Sequence, residues 1–338
     1  MSNALPVLLA DIGGTNARFA LADVGRPAPL LGHSVREYAV AQFASMPDAA
    51  AHYLQEIGES ADRAVLAVAG PVHGDEARIT NFPWVISAQR ATAALGLTDT
   101  RLVNDFTAQS MAILALQPGD VAAVGGTQWA GRRGERGNDR TFAVIGPGTG
   151  LGVGGLLIRG GKPFPLATEG GHVDFAPGTP EEIEILKQLA QEYGRVSIER
   201  LISGMGLVNL HRALSRIAGV DPGPMQPRDV AEGAKAGDPR CARAVDVFCA
   251  IFGAAAGDLA LTLGAWDGVF LAGGLVPRLL ETLQHSGFRQ RFEHKGRFSP
   301  TMAKVPTLAV LHPQPGLLGA AVIAMQQAAN PAPATVAP

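Results

Sequence analysis

The stretch VLLADIGGTNARFALADV, residues 7–24, constrains this chain more than any other. An apolar run from Val7 to Ala10 ends on Asp11, Gly13 and Gly14 make a tight turn, and Ala17 to Val24 resumes a β-prone pattern. The expectation is a hairpin with an acid at its shoulder. Two glycines let the backbone approach a phosphate closely, and Thr15 and Asn16 add short hydrogen-bonding side chains at the turn. An aspartate beside phosphates is repelled unless a divalent cation stands between them, so the stretch reads as a site for Mg²⁺ and ATP. Taken alone it reads equally well as an ordinary Gly-Gly hairpin.

A chain of 338 residues exceeds what one hydrophobic core usually supports, so two domains are expected. With 17% charged residues and a net charge of −2, it carries no basic excess that points to nucleic acid or to an anionic membrane surface. No basic segment precedes the short apolar run at the N-terminus, which argues against a secretory leader. The most apolar longer stretch, Val247 to Trp266, is rich in Ala and Gly and broken by Asp258, and reads as a core helix and not a membrane span. Cys241 and Cys249 fall eight apart in a helical pattern, which suggests neither a disulfide framework nor a zinc knuckle and is consistent with the cytoplasm.

Helical spacing over Ala44 to Glu59, then the short buried strand Arg63 to Ala69, completes an α/β unit after the hairpin. A polar turn at His73 to Asp75 leads to the neighbourhood of Asn81 and Trp84, where Trp84 reads as packing. Ser87 reads as an N-cap for a helix through about Leu95. In RLVNDFTAQSMAILAL a strand ends at Asn104-Asp105 and a helix follows. Catalytic groups often sit where the carboxyl end of a strand meets a helix. Asp105 is a candidate for that role, and also for a plain helix cap.

The opening design recurs in RTFAVIGPGTGLGVGGLLIRGG: strand Thr141 to Ile145, glycine turn Gly146 to Gly150 containing Thr149, and returning strand Leu151 to Ile158. This is an internal echo, each copy starting one domain. The preceding GRRGERGNDR, balanced by Glu135 and Asp139, reads as a solvated loop. Gly150, Gly152 and Gly155 satisfy GxGxxG, but β-like sequence follows where a dinucleotide fold needs a helix. The Gly161-Lys162 pair is followed by Pro163, so there is no GxxxxGK[ST] loop. Backbone N–H groups and Mg²⁺ must then carry the phosphate charge.

The richest polar stretch is ATEGGHVDFAPGTPEE, with Glu169, His172 and Asp174 within six residues. A carboxylate and an imidazole projecting together suit neighbouring sugar hydroxyls, since a site that hydrogen-bonds each OH rejects analogues lacking it. Metal ligation and a loop of no special role remain open readings. Thr179-Pro180-Glu181-Glu182 starts a long helix, and Glu199 belongs either to the sugar site or to a helix surface. A helix ends near Gly219, Asp229 is expected to cap further helices through Gly264, and Gly268 to Ala272 is a buried strand. Gly273-Gly274 follows, with room for adenine and ribose or as a plain turn into a helix near Pro277. QPGLLGAAVIAMQQA forms a terminal helix ahead of the tail NPAPATVAP.

ADIGGTNARFALAD, VNDFTA, GPGTGLGVG, EGGHVDFAP, SIERLISGMGLVNL, GVFLAGGLVPR and PGLLGAA stand in an order and at spacings that closely resemble the bacterial ATP-dependent glucokinase family, from about residue 6 to 326. The resemblance implies an α/β fold of two ribonuclease-H-like, actin/hexokinase-type domains with an active-site cleft between them. It places the small domain at 1–117, completed by a helix at about 314–328, the large domain at 118–313, and a tail at 329–338. By the same resemblance Asp105 is the general base, accepting the proton of the glucose 6-hydroxyl as that oxygen attacks the γ-phosphorus of ATP. Asn104, Asp105, Glu169, His172 and Glu199 are implied as sugar ligands. Ala10, Asp11, Ile12, Gly13, Gly14 and Thr15 form the implied ATP phosphate loop, with Asp11 near Mg²⁺ through water. Gly148, Thr149 and Gly150 form the second phosphate turn, and Gly273 and Gly274 the adenosine side. The family is commonly homodimeric and cytoplasmic.

Related repressors and sugar kinases share DxGGT and Glu-x-Gly-His, and many add a cysteine-rich zinc loop. Val173 to Pro180 holds no cysteine and no DNA-binding helices precede Val7, which speaks against zinc and a repressor role. Alternative readings are a kinase for another hexose or an N-acetylated amino sugar, and a non-catalytic sugar sensor.

Overall fold

The computed structural model describes residues 5–79, 82–129 and 139–329. Asn81, most of the Arg-rich stretch (131–138) and the tail from Asn330 lie outside the described residues. The chain divides into two compact units, one of residues 1–116 with 312–338 and one of residues 117–311.

The first unit is built on the hairpin of β1 (Val7–Ile12) and β2 (Asn16–Ala22), paired antiparallel with Ile12 opposite Ala17 and Asp11 opposite Arg18. β3 (Arg36–Ala39) extends it beyond β2. Beyond β1 lie β4 (Arg63–Val68) and β8 (Asp99–Asn104), both parallel to it, giving the order β3-β2-β1-β4-β8. Strands buried on both faces need no polar alternation, and VLLADI and RAVLAV are nearly continuous apolar runs. A small antiparallel sheet of β5 (Val72–His73), β6 (Glu76–Arg78) and β7 (Val85–Ser87) follows β4. Trp84 is buried in the core of this unit, edge-on to Phe82.

Helix starts follow local capping chemistry. In α1 (Met46–Ile57) the Ser45 hydroxyl accepts the N–H of Asp48, and Gly58 ends the helix in a left-handed conformation. In α2 (Ala88–Leu95) Ser87 accepts the N–H of Arg90. α3 (Asp105–Ala112) packs against the C-terminal helix (Pro315–Ala329), which also lies on β1 and β4. Where these two helices meet, a Cβ on Gly319 would overlap the carbonyl of Ala108.

The second unit repeats the same sheet. β10 (Arg140–Pro147) and β11 (Leu151–Arg159) form an antiparallel hairpin, β12 (Lys162–Ala167) extends it, and β13 (Val269–Leu271) and β14 (Thr307–Val310) run parallel to β10 on the other side. The order β12-β11-β10-β13-β14 reproduces that of the first sheet strand for strand. β9 (Val121–Gly125) is added antiparallel to β14 at the edge.

α4 (Pro180–Tyr193), α5 (Gly204–Ile217), α6 (Pro227–Lys235) and α7 (Pro239–Leu263) cover this sheet together with the short helices α8 (Leu280–His285), α9 (Phe288–Glu293) and α10 (Ser299–Met302). α7 is long and apolar enough to cross a membrane by length and composition, yet 61% of its most apolar window is buried inside the protein. Cys241 and Cys249 are both free and buried on this helix. The sequence expectation for Asp229 needs correction. α6 is capped by Gln226, and Asp229 returns a carboxylate to the Gln226 N–H from the third helical position at 2.8 Å. Asp238 caps α7, accepting the N–H groups of Arg240 and Cys241.

Candidate functional site

In the first unit the parallel register sets the geometry. Ile12 lies beside Val68, and Val68 beside Asn104, so the carboxyl ends of β1, β4 and β8 form one sheet edge. The glycine turn after β1 and the Asn104-Asp105 pair after β8 stand on that edge with one strand between them, about 10 Å apart at normal strand spacing. The turn is closed by the Gly13 N–H donating to the Asn16 carbonyl at 2.9 Å. It is tied to β3 by Asn16 Nδ2 on Glu37 Oε1 (2.6 Å) and by Val40 N–H on the Thr15 carbonyl (3.0 Å).

Asp11 points its carboxylate at the N-terminus of the C-terminal helix. A Cβ on Gly316, the second residue of that helix, would stand 2.5 Å from Asp11 Oδ2. Arg18 lies opposite at 3.9 Å and spends its Nε on Glu37 at 2.8 Å. Burial raises the Asp11 carboxyl above its ordinary value, against the opposing pull of Arg18, and Glu37 adds to the rise. Asp11 is thus an oxygen donor at a turn whose nearest cation, Arg18, stands 3.9 Å away. Mg²⁺ takes one or two such carboxylates together with phosphate oxygens and waters, so this donor fits a cation that arrives with a nucleotide. Among the described residues no cluster of three or more His, Cys, Asp or Glu forms a metal cage.

Asn104, and not Asp105, is the helix cap: its Oδ1 accepts the N–H groups of Phe106 and Thr107 at 2.9 and 3.2 Å. Its Nδ2 donates to the Gly70 carbonyl at 3.2 Å, which joins the ends of β4 and β8. Asp105 is the first helical residue, with Oδ1 on the Phe106 N–H at 3.0 Å. The capping alternative for Asp105 therefore falls to its neighbour.

In the second unit the Glu169–His172 segment and Glu199 come together although they are far apart in sequence. The 3₁₀ turn Gly170–His172 rests on β11, where Thr168 Oγ1 donates to the Val153 carbonyl and Gly171 abuts the Leu151 carbonyl. Residues 173–175 pair with 196–198 through Ile198 N–H on Val173 O and Phe175 N–H on Val196 O, both within 3.0 Å. That pairing carries the 3₁₀ turn Ile198–Arg200 to the β10–β11 glycine turn. Glu199 Oε2 accepts the Leu151 N–H at 2.9 Å, so the surface-helix reading of Glu199 does not hold. Glu169 and His172 are solvent-exposed. Arg195, unremarked in the sequence, donates to the His172 carbonyl and pairs with Asp174 at 2.7 Å. Asp174 is thereby paired with a cation, and among the described residues no cluster of three or more His, Cys, Asp or Glu stands in this loop.

Gly273 stands at the end of β13, beside the β10 end. Its φ of +82° suits glycine, and a Cβ there would overlap the Pro147 carbonyl. Fold geometry alone thus requires Gly273, whereas a Cβ on Gly274 meets nothing within 4 Å and faces open space. Gly316 was visible in the sequence only as part of PGLLGAA, and Arg195 carried no signal, because each acts through a contact made in the folded chain.

Two α/β sheets of one strand order, each with a glycine turn at the carboxyl end of its first strand, define the duplicated ribonuclease-H-like architecture of the actin/hexokinase type. The glucokinase family profile matches residues 8–327. A glucokinase of Stenotrophomonas maltophilia is 65% identical over 323 residues, covering 96% of each chain. The crystal structure of a glucokinase from an Antarctic psychrotroph aligns at TM-score 0.83 and 33% identity over 94% of this chain and 98% of its own. A ROK-family glucokinase from Streptomyces griseus, solved in complex with glucose and AMPPNP, shares the fold at TM-score 0.63 and 21% identity, over 95% of this chain and 99% of its own. The chain belongs to the glucokinase family.

Proposed function

We propose that this protein transfers the γ-phosphoryl group of ATP to the 6-hydroxyl of D-glucose, giving glucose 6-phosphate and ADP. Membership of the glucokinase family supports the substrates and the reaction. The observation that carries the mechanism is the shared sheet edge of the Asp11–Thr15 turn and Asp105. Their separation of about 10 Å leaves room for a phosphoryl group and one attacking hydroxyl.

In this reading Asp105 accepts the hydroxyl proton as the 6-oxygen forms its bond to the γ-phosphorus and the bond to the ADP oxygen breaks. A positioned carboxylate contributes about 10²- to 10⁴-fold by general-base catalysis. Residues 10–15 and 148–150 form the two phosphate loops, each held in shape by an internal bond, Gly13 N–H on the Asn16 carbonyl and Gly148 N–H on the Gly150 carbonyl, and Gly273 and Gly274 flank the adenosine. Asp11 is the residue that would hold Mg²⁺, through water, and the cation would supply neutralisation of charge on the phosphate oxygens. Asn104, Glu169, His172 and Glu199 hold the sugar hydroxyls. Both cysteines are buried and free, which suits a reducing cytoplasm. A homodimer is part of the same reading, on the family's habit.

A coupled ADP-release assay over a panel of sugars tests the reading. Turnover is expected with glucose and Mg²⁺. Failure of glucose to release ADP, or a strong preference for an N-acetylated amino sugar, overturns it.

A further inference from the structure

Segment 199–204 clasps the β10–β11 turn at two points. The Gly204 N–H donates to the Gly148 carbonyl at 2.9 Å, and the Leu151 N–H donates to Glu199 Oε2 at 2.9 Å. The segment is itself braced, since Ser203 Oγ donates to the Glu199 carbonyl at 2.8 Å and accepts the Gly206 N–H at 3.0 Å. The residues just before it, 196–198, pair with 173–175, next to His172. One short stretch therefore touches both the sugar loop and the glycine turn.

The two glycines of that turn differ in what surrounds them. A Cβ on Gly148 meets nothing within 4 Å, but on Gly150 it would stand 2.5 Å from Glu199 Oε2. Gly150 is not among the glycines with a left-handed φ, so its backbone is open to alanine and the conflict is with the carboxylate. A phosphate-binding role alone gives no reason for this contact. A hydrogen bond from an N–H to an ionised carboxylate is roughly twice as strong as a neutral one, enough to hold a turn residue in place.

We infer that Glu199 is a positioning residue as well as a sugar ligand: Oε2 pins the Leu151 N–H, Gly150 is glycine to admit that carboxylate, and glucose held by Oε1 thereby orders the turn that receives the nucleotide. The inference rests on Glu199 being a sugar ligand, as proposed above. It assigns Gly150 an influence on glucose binding that a residue serving only phosphate does not have.

The test is calorimetric titration of glucose, with no nucleotide present, into wild type and Gly150→Ala, with amide exchange at Leu151 followed in wild type, Glu199→Gln and Glu199→Ala. Gly150→Ala is expected to weaken glucose on the order of tenfold, within the range of ordinary coupling between sites. Exchange at Leu151 is expected to speed up in Glu199→Ala and to stay slow in Glu199→Gln, whose amide oxygen still accepts. Unchanged glucose affinity in folded Gly150→Ala, or a Leu151 amide equally slow in Glu199→Ala, overturns the tie. If Gly150→Ala does not fold, the exchange measurement decides alone. A wild type that binds no glucose overturns the sugar-site reading instead.

Discussion

The carboxylate of Asp11 and the backbone of Gly316 are in contact: a Cβ added at Gly316 would lie 2.5 Å from Oδ2 and 3.0 Å from Oδ1. The last helix of the first unit thus shapes the seat of the acid that ends its first strand. Gly316→Ala replaces a glycine with the best helix former, worth up to about 1 kcal/mol in a helix interior. The forced displacement of Asp11 opposes that gain. The expected outcome is a raised Mg²⁺ requirement and kcat lowered about tenfold or more, with melting temperature little changed. Mn²⁺ binding in the presence of AMPPNP, read by electron paramagnetic resonance, checks the metal directly.

Gly319, one turn further along, meets backbone in place of a side chain. Because the Ala108 carbonyl cannot rotate away, Gly319→Ala has to push α3 and the C-terminal helix apart. Overpacking of this kind costs about 1–3 kcal/mol. Urea unfolding is expected to show that loss.

Asp105→Asn keeps the shape of the first residue of α3 and an acceptor for the Phe106 N–H. It removes the base. Turnover is expected to fall by about 10²- to 10⁴-fold while glucose affinity stays within a few-fold of wild type. Pre-steady-state kinetics and calorimetry on the same preparation separate the two quantities, and near-normal kcat would take Asp105 out of the base role.

Glu182 and Arg291 form a buried ion pair in the second unit, with side chains 3% and 16% exposed, bonded at 2.5 and 3.1 Å. Glu182 also accepts the Gly178 N–H at 2.6 Å. Removing one partner strands the other charge, so Glu182→Ala is expected to cost about 3–5 kcal/mol. The double substitution Glu182→Ala/Arg291→Met should recover part of that. Denaturant melts of the two variants give the comparison.

Stability is expected to fall at both ends of the pH range for separate reasons. Burial holds His211 below its ordinary 6.5, reinforced by Arg240 and opposed by Asp238, and its Nδ1 has no hydrogen-bond partner. The unfolded chain therefore binds this proton more readily, and stability is full above pH 6.5 and erodes as pH drops below it. Burial pushes the Cys249 thiol from 9.0 to about 12, so the unfolded chain loses that proton first and stability erodes above pH 9. Melting temperatures against pH for His211→Gln and Cys249→Ala should flatten the acid and alkaline limbs respectively.

Much of the local structure is legible before any contact is known. Ser87 and Thr179 are recognisable as caps because a hydroxyl serves an N–H only three residues away. The strand–glycine–strand pattern likewise reads out twice. Asn104 shows where this legibility thins, since adjacent Asn and Asp both suit a cap and only the backbone path selects between them. β3, β9 and β12 give weak signals because an edge strand is specified largely by its neighbour.

The amino-acid order by itself determined two α/β halves, their paired glycine turns, most helix starts and the family to which the chain belongs, because each follows from patterns within one segment or from motifs in series. Tertiary structure alone decided that Glu199 reaches the Leu151 N–H, that Asp11 meets Gly316, and that Arg195 steadies the His172 loop. Those contacts depend on strand register and on which helix lies over which strand. They join segments whose own propensities carry no information about one another.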